Sequence, residues 1–454
     1  MNAPVHPLEQ LHAELPDLDW VTDEGRIARL SQDFSWFSPV LTRQLADKRA
    51  GAVARPRNED EIRRLVGLCA RLRIPITVRG SGTGNYGQAV PLQGGVVLDM
   101  SGYNAFLWAR NGAARAQAGI RLWDLEKATR PAGLEMRCMP STYRSATLGG
   151  LYGGGFGGVG SINYGPLGAR GNVLGLKAMT IEEEPQVVEL RGAEALAMHH
   201  VWGTNGLVLE LELAMAPVHD WLEAIVTFPS FDAALEFGDA LANASGILKK
   251  EICLLAQPIP DHIKQLADYL PSGCHATIVL VASSSEAAML ELVAQFQGKV
   301  TYRKSAEEVA ASNRTLLEYT WNHTTLHAMR VDKKLTYLQS AFTPGQHVEQ
   351  VKRMERLLGG EVLMHAEFIR NMDGLMTCTA LQLVRFSTEE RLQEIMQIHR
   401  DNGVRINDPH VFVVEDGRAN GDLPQAVLDT KRRFDPLGLM NPGKVRAWMD
   451  GVPA

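Results

Sequence analysis

A glycine-rich segment offers the clearest chemistry in this sequence of 454 residues. It follows the short apolar run from Ile74 to Val78 and reads Arg79-Gly80-Ser81-Gly82-Thr83-Gly84-Asn85-Tyr86-Gly87-Gln88. Glycines leave backbone N–H groups uncovered and able to point in one direction, which is the arrangement that binds a phosphate or pyrophosphate. The segment therefore predicts a loop that holds the phosphates of a nucleotide.

The residues after this loop decide which kind of nucleotide site it belongs to. Gly82, Gly84 and Gly87 match the G-x-G-x-x-G pattern of Rossmann folds, but that fingerprint requires a helix to begin on it. Here Pro91 and the pair Gly94-Gly95 block a helix, and the next apolar run, 96–99, is typical of a buried strand. The pattern predicts a strand, a phosphate-binding loop and a second strand.

A second glycine-rich segment follows the sequence Pro140-Ser141-Thr142. Eight of the twelve positions from Gly149 to Gly160 are glycine, but Leu151, Tyr152 and Phe156 lie among them. Large apolar side chains of this kind favour burial, so the segment is not a linker. It indicates backbone that is pressed against a ligand or against another part of the chain.

Composition excludes several classes of function. The chain has 46 basic and 52 acidic residues and no basic block, which argues against nucleic acid as a partner. The N-terminus lacks signal-peptide features, and no apolar run approaches the roughly 20 residues of a membrane helix. Five scattered cysteines without a CxxC motif argue against a disulfide framework or a zinc site. We expect a cytoplasmic protein without a transmembrane segment.

Periodicity predicts the elements that position the glycine segments. Asn58 and Glu61 are typical of a helix start, and the apolar residues that follow predict a helix over 58–73. Further helices are predicted over 122–129, 231–244, 286–296 and 425–434, with His199 and His200 on a helix face. Strands are predicted over 74–78, 96–99, 207–215, 224–228, 252–255, 276–281 and 411–414, with a hairpin formed by 173–181 and 187–190.

Four motifs occur in an order that resembles one flavoprotein superfamily. They are the loop Arg79–Gly87, Pro140–Thr142 with Thr147–Gly150, Trp202–Val208 and Asp435–Lys444. In this order they resemble the vanillyl-alcohol oxidase / p-cresol methylhydroxylase (PCMH) superfamily of FAD-binding oxidoreductases. The resemblance implies an α+β fold with a two-subdomain PCMH-type FAD domain and an antiparallel-sheet cap. The expected division is a lead-in over 1–44, the FAD domain over 45–217, the cap over 218–405 and a returning segment over 406–454.

The resemblance also assigns residues to FAD. The cofactor-binding candidates are Arg79, Gly80, Ser81, Gly82, Thr83, Gly84, Gln88, Pro140, Ser141, Thr142, Thr147, Gly149, Gly150, Gly154, Gly157, Gly158, Leu207, Val208, Asn441 and Lys444. A Lys444 cation near the flavin pyrimidine would stabilise reduced flavin. Some relatives attach flavin through a histidine at the position of Thr83, or through a cysteine absent from 149–165. We therefore expect non-covalent FAD.

The catalytic candidates lie in the cap and just after it. His323 belongs to a polar and aromatic stretch, 319–327. His365 and Glu367 would share one face of a strand, and His410 is a candidate wall residue of the flavin pocket. Arg330 or Arg385 could hold a carboxylate. His323 with His327, or His365 with Glu367, gives no complete metal-ligand set, so no metal is predicted.

These residues predict FAD-dependent oxidation of an alcohol, a 2-hydroxy acid or a phenolic substrate. A base, His323 or His365 with Glu367, would take the hydroxyl proton while hydride passes to flavin N5. The electron acceptor would be dioxygen or a protein or quinone, and a homodimer is left open. The alternatives are a flavin-bearing electron-transfer subunit without its own substrate chemistry and a non-catalytic nucleotide-binding module.

Overall fold

The computed structural model describes residues 7–448, and its first sheet carries the glycine loop. The sheet has the strand order β1-β2-β4-β3, with β2 and β3 both parallel to β4. Its elements are α1 (Pro7–Glu14), β1 (Trp20–Val21), α2 (Glu24–Leu30), α3 (Pro39–Gln44), β2 (Ala52–Ala54), α4 (Glu59–Leu72), β3 (Ile76–Arg79) and β4 (Val96–Asp99).

Two local predictions are confirmed in this part of the chain. The Asn58 side chain accepts a hydrogen bond from the Glu61 backbone N–H and caps α4, as the sequence pattern requires. The glycine loop begins where β3 ends and leads directly to the adjacent strand β4, without a helix between them. The described part of the expected lead-in, 7–44, forms three α-helices and contributes β1 to the sheet; residues 1–6 lie outside the described chain.

The second sheet packs beside the second glycine segment. Its path is β5-β6-β10-β8-β9, and β7 pairs with the end of β10. The predicted hairpin is confirmed as β8 and β9, which pair antiparallel. Its elements are β5 (Phe106–Arg110), β6 (Ala113–Gln117), α5 (Leu122–Thr129), β7 (Leu134–Met136), α6 (Leu148–Gly154), α7 (Ser161–Tyr164), β8 (Val173–Met179), β9 (Val187–Arg191), α8 (Gly192–Leu196) and β10 (Leu207–Pro217).

One prediction in this region is wrong. His199 and His200 do not lie on a helix face, because α8 ends at Leu196 and the chain turns. His200 has φ of +53°, and its backbone N–H donates to the Tyr152 carbonyl oxygen, so the turn is fixed by the neighbouring glycine segment.

An eight-stranded sheet forms the cap, and all its pairs are antiparallel. Its order is β14-β11-β13-β12-β18-β19-β16-β21, and β15-β20-β17 form a small separate sheet. The elements are β11 (Trp221–Phe228), α9 (Phe231–Asn243), β12 (Lys249–Leu255), α10 (Ile259–His262), β13 (His275–Ala282), α11 (Glu286–Gln295), β14 (Lys299–Lys304), α12 (Ala306–Ser312), α13 (Asn322–Val331), β15 (Leu335–Tyr337), β16 (Gln339–Ala341), α14 (His347–Leu358), β17 (Val362–Leu363), β18 (His365–Arg370), β19 (Met376–Ala380), β20 (Leu383–Arg385), α15 (Glu389–Asp401) and β21 (Arg405–Asn407).

Alternating side chains give the cap sheet two different faces. Leu254, Ala366 and Phe368 pack with helices α9 and α14 on the outer face. Cys253, Leu255 and Ile369 belong instead to the core that is shared with the second sheet. The inner face of the cap sheet is therefore the face that lies over the FAD-domain elements. β10 ends at Pro217 and β11 begins at Trp221, at the predicted junction; the division into domains stays a prediction.

The last described part of the chain returns to the first sheet. Helix α16 (Gln425–Phe434) is confirmed, and Met440 forms a parallel bridge with Ile76 of β3. The predicted strand over 411–414 is wrong: Val414 N–H bonds to the Lys444 carbonyl oxygen, and no ladder extends that contact.

Between residues 7 and 448, no helix combines the length and apolar character needed to cross a membrane.

Candidate functional site

A cavity of about 420 Å³ lies between the glycine segments and the inner face of the cap sheet. Gly80–Gly84 and the glycines of α6 form one part of its wall, and the turn at Trp202 forms another. Thr379, Gln339 and Arg405, from three adjacent cap strands, complete the enclosure. The two sequence motifs that predicted a nucleotide site therefore meet in one place.

The first glycine loop presents free backbone donors to this cavity. Within the described chain, the N–H groups of Ser81, Gly82, Thr83 and Gly84 donate to no protein acceptor. Four neighbouring N–H groups without partners form a concave site that suits an anion. Arg79 lies beneath the loop and does not line the cavity. Its Nη1 donates to the Gln32 carbonyl oxygen at 2.5 Å and its Nη2 to the Ser81 carbonyl oxygen at 3.3 Å.

Lys444 and Asn441 hold the same loop from behind. The Lys444 ammonium donates to the carbonyl oxygens of Gly87, Gln88 (2.9 Å) and Val90 (2.8 Å). The Asn441 amide nitrogen donates to the carbonyl oxygens of Gln88 (2.8 Å) and Trp202 (2.7 Å). Burial lowers the pKa of Lys444 to about 7, although the Asp33 carboxylate opposes that shift. Both residues are buried and neither lines the cavity, and the position of Lys444 relative to the flavin stays a prediction.

The second glycine segment contacts the first. The Thr147 hydroxyl caps α6 by accepting from the Gly150 N–H at 3.2 Å, and the α-carbon of Gly80 lies against that hydroxyl. Most of the predicted cofactor residues line the cavity: Gly80, Ser81, Gly82, Thr83, Gly84, Gln88, Pro140, Ser141, Thr142, Thr147, Gly149, Gly150, Gly154, Gly157 and Val208. The others, Arg79, Gly158, Leu207, Asn441 and Lys444, are not among its lining residues.

His323 is the catalytic candidate that reaches the cavity. It lies in the first turn of α13 and lines the wall beside Asn322. Its Nδ1 is 3.5 Å from the Glu318 carboxylate, which in turn accepts from Arg144 Nε at 2.6 Å. Burial raises the pKa of Glu318, but the contacts with His323 and Arg144 outweigh it and the net shift is downward. An ionised carboxylate thus orients the imidazole, which is the arrangement of a general base.

The other catalytic candidates are buried away from the cavity. His365 Nε2 lies 2.9 Å from the Glu367 carboxylate and 3.4 Å from Cys253 Sγ, and His365 Nδ1 donates to the Leu381 carbonyl oxygen. Cys253, His365 and Glu367 could in principle hold a metal, since their ligand atoms lie within 4.8 Å of one another. Their hydrogen bonds already account for this closeness. His410 contacts Ser38 Oγ and the Tyr337 carbonyl oxygen, so it does not form the predicted wall.

Sequence reasoning missed the cationic residue of the cavity. Arg405, at the start of β21, lines the wall and is exposed, and its side chain has no ion pair or hydrogen bond within residues 7–448. The two arginines that were predicted to hold a carboxylate lie elsewhere: Arg385 pairs with Asp332 at 3.5 Å, and neither Arg385 nor Arg330 lines the cavity. The alternation Arg405-Ile406-Asn407 was the available signal, since it places both polar residues on one strand face.

Orphaned polar atoms show that the cavity suits a polar ligand. Gln88 Oε1, Trp202 Nε1 and Asn322 Oδ1 are buried, line the cavity and have no partner within the described chain. Buried polar atoms in native proteins are normally paired. Together with the free loop N–H groups, these acceptors and donors fit FAD, whose pyrophosphate and ring edges provide both kinds of partner.

Comparison with known proteins agrees with this geometry. Residues 50–189 match the family model described as an FAD binding domain. The glycolate oxidase subunit GlcD of Bacillus subtilis is 25% identical over 425 residues, which cover 87% of this chain and 89% of that protein. GlcD of Escherichia coli K12 is 30% identical over 203 residues, 42% of this chain and 40% of that protein. The D-lactate dehydrogenase of Archaeoglobus fulgidus is 25% identical over 230 residues, 48% of this chain and 51% of that protein.

A solved structure shows the same fold. The chain superposes on alkyldihydroxyacetonephosphate synthase with a TM-score of 0.71 at 15% identity, covering 97% of this chain and 86% of that one. The cavity, the match of residues 50–189 to an FAD binding domain and these relatives support a PCMH-type FAD-binding oxidoreductase. The fold is α+β and its second part is rich in sheet, as the sequence predicted.

Proposed function

We propose that this protein oxidises the CH–OH group of a 2-hydroxy acid. The observation that carries the proposal is the presence of an unpaired arginine, Arg405, in the same cavity as His323 and the free loop amides. A guanidinium binds a carboxylate with two parallel hydrogen bonds and so orients it. The names of the relatives from B. subtilis and A. fulgidus, which refer to glycolate and D-lactate, support the same substrate class.

Each part of the cavity has its own task in this proposal. The N–H groups of Ser81 to Gly84 hold the FAD pyrophosphate, and Arg405 holds the substrate carboxylate. His323, oriented by Glu318, takes the hydroxyl proton, which contributes typically 10²–10⁴-fold to such a reaction. Bound FAD supplies a hydride acceptor at N5. FAD is bound non-covalently, because Thr83 stands where a histidyl link would form and the loop contains no histidine.

Anaerobic reduction of the bound flavin tests this proposal. Short 2-hydroxy acids should bleach the visible flavin absorbance, whereas the matching alcohols without a carboxylate should do so far more slowly. The rate of reoxidation after air is admitted then separates dioxygen from a protein or quinone acceptor. If no hydroxy acid in a broad panel bleaches the flavin, the proposed substrate class is wrong.

A second function is favoured by the relatives' names, since two of them are described as subunits. A flavin-bearing electron-transfer subunit would lack substrate chemistry of its own. In that case dithionite would reduce the flavin and no hydroxy acid would.

A further inference from the structure

We infer that Trp321 closes the substrate cavity on the cap side and thereby limits the size of the substrate that the cavity admits. The buried pair Glu251 and Glu367 holds Trp321 in this position, and we call Trp321 the partition. The inference deepens the proposed function, on which its statement about substrate size rests. The position of Trp321 itself can be tested without any substrate.

Both polar hydrogens of Trp321 are bound by glutamates. Its backbone N–H donates to Glu367 Oε1 at 2.6 Å, and its indole Nε1–H donates to Glu251 Oε2 at 3.2 Å. The residue has φ of +51°, a backbone conformation that a bulky side chain rarely adopts unless its surroundings impose it. The two carboxyl groups therefore fix the main chain and the ring of this residue together.

The opposite side of the indole ring rests on the second glycine segment. A methyl group placed on the α-carbon of Gly157 would lie 3.0 Å from Trp321 Cη2 and 3.3 Å from Cζ3. The ring therefore packs closely against the backbone of Gly157. Trp321 is 7% exposed and lines the cavity, so its edge forms part of the wall.

The cap sheet shows what lies behind the partition. Directly opposed residues of adjacent antiparallel strands share a face. One such row runs from Cys253 through Glu367, Thr379 and Ala341 to Arg405. Thr379, Ala341 and Arg405 line the cavity, whereas Cys253 and Glu367 have no exposed surface. The open part of this sheet face therefore ends at Glu367, the residue that binds Trp321.

The neighbouring row ends in the same way. Leu381 lines the cavity, and the backbone N–H of Leu381 donates to the carbonyl oxygen of His365 on the next strand. The His365 side chain is fully buried against Glu367 and Cys253. Two rows of one continuous face thus pass from the cavity into a closed polar cluster, and Trp321 lies at the boundary.

The chemistry of the glutamates explains why they can remain buried. No cation contacts either carboxyl group within the described chain, and their mutual contact disfavours ionising both. Burial raises the pKa of Glu367 to about 7 and the pKa of Glu251 far above its ordinary range. A protonated carboxyl group can donate to its neighbour while its carbonyl oxygen accepts from Trp321.

Accessibility of Cys253 to a small alkylating reagent tests the partition. The holoprotein and the variants Trp321→Ala and Trp321→Phe would be treated with iodoacetamide, and labelling of each cysteine followed by peptide mass spectrometry. We expect Cys253 to be labelled about tenfold faster or more in Trp321→Ala than in the wild type, because labelling follows local opening. Trp321→Phe keeps a ring but loses the bond to Glu251, so its labelling rate should fall between the two.

Trp221→Phe is the matched control. It also removes an indole–carboxylate hydrogen bond, from Trp221 Nε1 to Glu135, but Trp221 does not line the cavity. Cys253 should remain protected in this variant. Cys69 and Cys378 are buried in other cores and report general unfolding. The inference is overturned if Cys253 is labelled at the wild-type rate in both Trp321 variants, or only together with those two cysteines in both.

A second measurement concerns substrate size. In Trp321→Ala, the ratio of kcat/KM for a long-chain to a short-chain 2-hydroxy acid should rise about tenfold or more, the gain that room for one or two additional methylenes provides. An unchanged ratio would contradict the claim about size. If Cys253 is labelled faster in the Trp321 variants but no hydroxy acid reduces the flavin, the inference about Trp321 stands and the proposed function is refuted.

Discussion

The α-carbon of Gly80 lies directly against the hydroxyl group of Thr147, so the two glycine segments meet at a contact with no room for a side chain. Thr147 is also the residue that caps α6. Any displacement of its hydroxyl therefore affects both the phosphate-binding loop and the start of the second segment.

Gly80→Ala should weaken FAD binding. The added methyl group would overlap the Thr147 hydroxyl, so either the loop or the α6 cap must move. We expect the dissociation constant of FAD to rise by about tenfold or more, measured by fluorescence titration of the deflavinated protein; losing a helix cap alone costs about 1 kcal/mol. Gly360→Ala is the control, since a methyl group there meets nothing within 4 Å. Equal affinities in the two variants would contradict the predicted contact.

Arg405→Ala should raise KM for a 2-hydroxy acid by about 10- to 100-fold, the value of a hydrogen bond to a charged group. The bound flavin should keep its visible spectrum. Arg385→Ala provides the comparison, because that guanidinium pairs with Asp332 outside the cavity and should be dispensable for substrate binding. If both substitutions raise KM by the same factor, Arg405 does not hold the substrate carboxylate.

His323→Gln should lower kcat by about 10²–10⁴-fold while FAD remains bound. The amide keeps a polar side chain at the start of α13 but cannot accept a proton at neutral pH. His327→Gln is matched, because His327 lies one turn further along α13, contacts the Glu318 carbonyl oxygen and does not line the cavity. If stopped-flow reduction of the flavin is as fast in His323→Gln as in the wild type, another group removes the proton.

Three buried histidines should make a contribution to stability that acid removes in a defined pH range. Burial lowers the pKa of His199 to about 3 and the pKa values of His200 and His365 to about 4. Unfolded histidines take up protons below about pH 6.5, whereas these three stay neutral in the folded protein until about pH 4. Their contribution to the free energy of unfolding should therefore fall between pH 6.5 and 4, by up to about 1.4 kcal/mol per pH unit for each histidine, whereas the raised pKa values of Glu251 and Glu367 act in the opposite direction.

Denaturant unfolding curves at several pH values would measure this slope. His199→Leu should reduce it, because one proton fewer is taken up on unfolding. A slope that is unaffected by this substitution would mean that His199 is already protonated in the folded protein.

The sequence predicted helices and strands correctly where a few neighbouring residues determine them. The cap of α4 needs only Asn58 and Glu61, and the hairpin of β8 and β9 needs only its own alternation and turn. The strand–loop–strand arrangement of the phosphate-binding loop also followed from a few neighbouring residues. In the same way, the sequence placed His365 and Glu367 on one strand face, and they are 2.9 Å apart.

The predictions that differ from the structure depend on distant contacts. The segment 411–414 is apolar enough for a strand, but its neighbour is the isolated carbonyl oxygen of Lys444 and not another strand. His365 and Glu367 were expected at the substrate, but both are fully buried outside the cavity lining, and Glu367 binds the backbone N–H of Trp321 instead. Arg405 was overlooked because a sequence does not reveal which arginine lacks an acidic partner.

The late position of Lys444 in the chain affects when flavin can bind during protein synthesis. Lys444 binds three carbonyl oxygens of the segment 87–90, and Met440 extends the sheet beside β3. More than three hundred residues, including the whole cap, separate those partners along the chain. On a ribosome the phosphate-binding loop emerges early but is without this support until its last partner has been synthesised. We therefore expect flavin to be captured after translation of Lys444, and nascent chains that end before α16 to be released without it.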